Sequence, residues 1–129
     1  MERAEIMRAV KSKNTAPEIV VRRLVYALGY RFSLHRRDLP GKPDLVFIGR
    51  RAVIFVHGCF WHGHDCPRGA HKPKTNTGYW HSKIARNRER DSENMARLAT
   101  IGWRTHVVWE CELTERSVLA HRLRAFLEG

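Results

Sequence analysis

The chain has 129 residues, enough for one domain with one modest core. Its apolar and charged fractions are those of a soluble globular protein, and no apolar run approaches the roughly 20 residues that cross a bilayer. Twenty-four Lys and Arg against 13 Asp and Glu give a net charge of +11; spread over the whole chain rather than along one amphipathic face, that excess suits nucleic acid better than a membrane surface.

In chain order, Met1-Glu2-Arg3-Ala4-Glu5 has no apolar h-region. No signal peptide is therefore expected, and a cytoplasmic location follows. Residues 1–14 are polar and basic and read as an arm. Thr15-Ala16-Pro17-Glu18 has the pattern of a capping box, with Glu18 reaching back to the cap. Val20, Leu24 and Leu28 follow at helical spacing, and Gly29 ends the helix. Tyr30 to Leu34 alternates as a strand, and Leu39 to Pro43 is a loop. Asp44 to Ile48 and Ala52 to Val56 are β-branched runs joined through Gly49-Arg50-Arg51 as a hairpin. Residues 58–78 are rich in Gly, Pro, His and Asn and read as a long functional loop. Trp80, Ile84, Asp91, Met95 and Leu98 mark one face of a helix from about Tyr79 to Thr100, closed by Gly102. Trp103 to Trp109 is a further strand. Thr114 caps a last helix carrying Val118, Leu119, Leu123, Phe126 and Leu127. The order α-β-β-β-α-β-α predicts one mixed α/β domain with a small central sheet.

Three cysteines, an odd count, argue against a disulfide framework. Cys59, His64 and Cys66 lie close together in the irregular loop, and Cys111 follows the last strand. Four such ligands suit a closed, structural, tetrahedral zinc site that ties the loop to the strand. The alternative is three small buried cysteines beside an exposed histidine. His57 and His62 exceed what a structural zinc accepts. They suit acid–base work, since imidazole titrates near neutrality; surface histidines are the plainer alternative.

Asp44 follows Pro43 at the start of a strand, where a carboxylate suits a hard divalent cation such as Mg2+. Glu on the first helix and Pro-Asp opening the second strand match the restriction-endonuclease core. That core adds Glu-x-Lys on its third strand. The corresponding stretch here is Phe55-Val56-His57, so the second carboxylate is absent and His57 stands roughly where the lysine would be, which argues against a standard two-carboxylate mechanism and for histidine chemistry. Glu18 is open to two readings, capping partner or functional acid. Asp91 has the commonest reading of a helix-surface charge, but it falls on a helix face expected to be buried, which opens a second reading, a role in orienting a histidine.

The run His57-Gly58-Cys59-Phe60-Trp61-His62-Gly63-His64-Asp65-Cys66 resembles the central motif of the very-short-patch-repair (Vsr) mismatch endonucleases. Met7-Arg8-Ala9-Val10, Ser12-Lys13-Asn14-Thr15, Pro40-Gly41-Lys42-Pro43-Asp44, Lys83-Ile84-Ala85-Arg86-Asn87, Gly102-Trp103-Arg104 and Val108-Trp109-Glu110-Cys111 agree with it. The resemblance implies a restriction-endonuclease-like fold. It implies an enzyme that nicks one strand of double-stranded DNA 5′ to the thymine of a T:G mismatch left by deamination of 5-methylcytosine. Mg2+ would sit at Asp44 with the Val56 main-chain carbonyl, and Zn2+ at Cys59, His64, Cys66 and Cys111. His62 would activate water, His57 would stabilise the phosphate or leaving group, Asp91 would support a histidine, and Glu18 would assist. Phe60, Trp61 and Trp80 would wedge into the base stack, with Met7 and Val10 entering from the minor groove. Lys13, Lys42, Lys72, Lys74, Lys83, Arg86 and Asn87 are DNA-contact candidates. Nothing in the sequence demands an oligomer. Two other readings stand beside this one: a similar nicking nuclease without mismatch preference, and a zinc-stabilised DNA-binding module without catalysis. The joint presence of Asp44, His57 and His62 speaks against the last.

Overall fold

The computed structural model describes residues 15–59, 66 and 77–129. The arm with Met7, Val10 and Lys13, and the loop residues Phe60, Trp61, His62, His64, Lys72 and Lys74, lie outside them.

Helix α1 spans Ala16–Ala27. It starts where expected, because the Thr15 hydroxyl accepts the Glu18 N–H at 3.3 Å and Pro17 has no donor to lose. It stops at Leu28, followed by Gly29 at φ 99°. The capping box is only half formed. The Glu18 carboxylate does not turn back to the cap; it is buried at 1% exposure and held by other partners. The core stripe is correspondingly rotated. Glu18, Val21 and Val25 are buried, while Val20 is half-buried and Leu24 and Leu28 flank the core.

Four strands follow in the spatial order β1-β2-β3-β4: β1 Ser33–Leu34, β2 Leu45–Phe47, β3 Ala52–His57 and β4 Arg104–Trp109. The first two pairings are antiparallel and the β3–β4 pairing is parallel. The expected strand from Tyr30 pairs only over its last two residues. Between β2 and β3 the chain makes a 3-10 turn, Ile48–Arg50, closed by Arg51 at φ 49°. A parallel pair needs a crossover, and helix α2, Thr77–Thr100, provides it. After β4 a second 3-10 turn, Glu110–Thr114, leads into helix α3, Arg116–Glu128. Thr114 is not the cap of α3. That position is Glu115, without a side-chain cap, because the Thr114 hydroxyl is used inside the turn and donates to the Cys111 carbonyl at 3.1 Å. Val118, expected in the core, is 44% exposed; the buried stripe of α3 is Leu119, Leu123 and Leu127.

The sheet is covered on both faces, which explains why β2 and β3 read as unbroken apolar runs. On one side Leu45, Phe47, Ala52, Ile54 and Val108 pack with Val21 and Val25 of α1 and the three leucines of α3. On the other, Val46, Val53 and Phe55 pack with Leu98 of α2 and with Leu39. Arg50 and Arg104 donate to the Leu127 and Phe126 carbonyls at 2.9 and 2.6 Å, satisfying the C-terminal end of α3. Among the described residues no helix is long and apolar enough to cross a membrane.

The loop before β2 docks closely on α2. Gly41 has φ 79°, and a Cβ there would stand 3.0 Å from the Asn94 Cβ and 3.1 Å from the Phe55 ring. Gly41→Ala therefore combines backbone strain with overpacking, at a cost of about 1–3 kcal/mol. Thermal melts should show a Tm lowered by about 5–10 °C. Gly49→Ala, at a position with open space around it, should stay within a degree or two of the parent.

Candidate active site

Because β2 runs antiparallel to β3, the start of β2 lies beside the end of β3. Leu45 pairs with Ile54, and Asp44, one residue earlier, accepts the Val56 N–H on its Oδ2 at 2.7 Å. Glu18 reaches the same place from α1. Its Oε2 accepts from Arg22 on its own helix and from His35 Nε2 at 2.7 Å. His35 arrives by register: Leu34 pairs with Leu45, and the His35 N–H donates to the Asp44 carbonyl at 3.4 Å. Ligand atoms of Glu18, His35 and Asp44 all lie within 4.8 Å of one another.

Burial, with the neighbouring Glu18 carboxylate adding to it, pushes the Asp44 carboxyl up to about 7 against the opposing Val56 N–H. Two carboxylates this close do not both ionise readily without a cation between them. A pair of hard oxygen donors in a largely buried setting fits a divalent ion such as Mg2+. The sequence led to no second carboxylate here; the fold brings Glu18 of α1 beside Asp44. Sequence reasoning missed His35 and Arg22. Arg22 was legible as an i+4 partner of Glu18; His35 joins the pair only through the β1–β2 register.

The same strand end carries His57, the last residue of β3. It is 5% exposed, and its Nδ1 stands 3.9 Å from Asp91 Oδ2 on α2. Its ring meets Trp109 edge-on at 5.2 Å and Phe55 at 5.7 Å. Asp91 therefore lies beside a histidine, on a helix face that is half-buried here rather than buried. Asp44 accepts the Val56 N–H and His57 is the next residue of β3, so the Asp44–Glu18 pair and the His57–Asp91 pair meet at one strand end.

Two residues beyond the His57–Trp109 pair lie Cys59 and Cys111. With Cys66, their sulfurs fall within 4.8 Å of one another, and the Cys111 N–H donates to Cys59 Sγ at 3.4 Å. None of the three is in a disulfide. Burial pushes the Cys59 thiol up to about 12 and raises that of Cys111, a cost that a soft divalent ion removes by taking up thiolates. Glu112 braces the turn: it accepts the Trp109 N–H at 2.9 Å and an Arg122 N–H at 3.2 Å. The expected fourth ligand, His64, lies outside the described residues.

Of the DNA-contact candidates, Trp80, Lys83 and Asn87 are half-buried along one side of α2. Trp80 packs edge-on to Tyr79 at 5.0 Å, and Asn87 accepts from Arg90 at 2.7 Å. Lys42 is exposed at φ 50° beside Gly41, and Arg86 is exposed on α2.

Two measurements follow from this geometry. Burial raises Asp44 above its unfolded value near 3.8 to about 7. Between those values the native chain keeps a proton that the unfolded chain has released. The metal-free protein therefore loses stability as pH rises from about 4 to about 7. Asp44→Asn removes that slope: in Mg2+-free melts its Tm should exceed the parent's by several degrees at pH 8, with the difference shrinking toward pH 4. For the thiols, elemental analysis should find about one zinc per chain. Cys111→Ser should lose it and lower the Tm; unchanged zinc content and Tm would show that Cys111 is not a ligand.

Comparison with known proteins agrees with the site. Residues 1–68 match the family described as DNA mismatch endonuclease Vsr. The type II nicking enzyme V.XorIIP of Xanthomonas oryzae is 55% identical over 126 residues, covering 98% of this chain and 92% of its own. The type II nicking enzyme V.NmeAIP of Neisseria meningitidis is 43% identical over 122 residues, 95% of this chain and 86% of its own. The DNA mismatch endonuclease Vsr of Escherichia coli is 43% identical over 117 residues, 91% of this chain and 74% of its own. A buried carboxylate pair, an Asp-supported histidine and a thiol cluster at one strand end thus coincide with relatives that are endonucleases, and the chain belongs to the Vsr family of DNA endonucleases.

Proposed function

We propose that this enzyme nicks one strand of duplex DNA 5′ to the thymine of a T:G mismatch, by Mg2+-dependent phosphodiester hydrolysis, in very short patch repair of deaminated 5-methylcytosine. The observation that carries the reading is the convergence of two different pairs, Asp44 with Glu18 and His57 with Asp91, on the end of β3.

Each group then has a task. Asp44, Glu18 and the Val56 carbonyl hold Mg2+, which when bound supplies positive charge to the scissile phosphate. His62 takes the proton from the attacking water. His57, fixed between Trp109 and Asp91, stabilises the phosphate or the departing oxygen. Cys59, His64, Cys66 and Cys111 hold a structural Zn2+, which fastens the loop carrying His62 to the end of β4. Phe60, Trp61 and Trp80 enter the base stack from one groove, and Met7 and Val10 of the N-terminal arm enter from the other. Unstacking costs least at a mismatched pair, so a wedge of this kind favours T:G sites. Lys13, Lys42, Lys83 and Asn87 contact the backbone. The 129 residues work as one domain and as a monomer, in the cytoplasm and on the nucleoid when bound to DNA.

A second reading has its own support: two of the relatives named above are type II nicking enzymes. It makes the protein a nicking endonuclease without strict mismatch specificity. Duplexes differing only in T:G, C:G or T:A at one position separate the two. With Mg2+, cutting confined to the T:G duplex is expected. Equal cutting of all three would establish the second reading instead. His62→Ala should lower the nicking rate by about 10²–10⁴-fold while gel-shift affinity is retained.

A further inference from the structure

We propose that His35 is a positioning residue of the cation site: it fixes Glu18 relative to Asp44 so that both carboxylates face one divalent ion. The inference rests on the metal-dependent nuclease reading above.

His35 touches both acids at once. Its backbone N–H donates to the Asp44 carbonyl at 3.4 Å, and its ring Nε2 lies 2.7 Å from Glu18 Oε2. The first contact continues the β1–β2 ladder, in which Leu34 pairs with Leu45. The second crosses to α1. Glu18 and Asp44 belong to elements that the sheet does not itself connect; their carboxyls meet directly, and His35 holds one by its ring and the other's residue by its backbone.

Arg22 cannot do the same. It also donates to Glu18 Oε2, but it sits four residues along the same helix. It orients the carboxylate on α1 without tying α1 to the start of β2. With Oε2 held from two directions, the rotation of a carboxylate that is only 1% exposed is fixed. Partners of this kind, one bond removed from the ion, govern metal affinity almost as strongly as the ligands themselves.

His35 adopts φ 50°, a left-handed backbone that glycine and asparagine also accept, so either can replace it without new backbone strain.

The test uses the whole protein, with Mn2+ as a spectroscopic substitute for Mg2+. Binding is read by loss of the free-ion electron paramagnetic resonance signal, and nicking is measured in parallel. His35→Gly and His35→Asn both tolerate a positive φ and lack the reach to Glu18. Each should raise the Mn2+ dissociation constant about 10-fold or more and lower kcat comparably, with KM for DNA changed less than 3-fold. Their Tm should stay within a few degrees of the parent, because the left-handed backbone suits both residues. His35→Gln, which keeps an N–H donor on a longer arm, should recover affinity to within about 3-fold. Wild-type Mn2+ affinity and kcat in both short variants would overturn the proposal. So would a loss that Gln does not rescue, or one that only follows a falling Tm. Asp44→Asn separates this from failure of the underlying reading: if that variant binds Mn2+ as the parent does, the cation is not at this site whatever His35 does.

Discussion

The parallel, in-register pairing of β3 with β4 is the constraint on which the site depends. The ladder runs from Ala52–Arg104 to His57–Trp109, so the two strands end at the same level. Cys59 and Cys111 each follow two residues later, and their sulfurs meet for that reason. A two-residue slip would carry Cys111 about 7 Å along the strand and dissolve the thiol cluster. A one-residue slip would turn His57 to the opposite face and away from Asp91. The same pairing requires the crossover helix that carries Asp91. Thiol cluster and histidine pair are thus two consequences of one register.

The carboxylate side is built on a different logic. Glu18 is buried but well supplied with donors, since Arg22 and His35 both reach its Oε2. Asp44 receives the Val56 N–H, and burial and the charge of Glu18 still raise it to about 7. The imbalance has a direction. One acid is fixed and compensated by the protein, and the other is compensated best by a cation. A site in which both acids were fully paired would have little affinity left for a metal.

Much of this was legible in the sequence, and the failures have physical causes. The element order could be read because the apolar periods of α2 and β3 are strong and their ends are marked by Gly102 and by the 49–51 turn. Asp91 was legible as a charge on an otherwise core-facing stripe. The thiol cluster was legible as a set of ligand types, though why Cys59 meets Cys111 needs the parallel register, which periodicity does not encode. Glu18 was ambiguous because a capping box and a buried acid share one local pattern, and only tertiary packing decides between them. His35 left no local trace, since its partners are 17 and 9 residues away in sequence and reach it through a two-strand ladder. Thr114 misled because hydroxyls serve 3-10 turns and helix caps equally well.

The stripe along α2 connects these parts. Trp80, Lys83 and Asn87 occupy its N-terminal half, Asp91 meets His57 in the middle, and Leu98 is buried in the core at the far end. A helix advances 1.5 Å per residue, so Trp80 stands about 16 Å from Asp91 along the axis. A rigid helix anchored by Leu98 holds that spacing constant. DNA seated against the N-terminal half would then be placed relative to His57 by the helix itself.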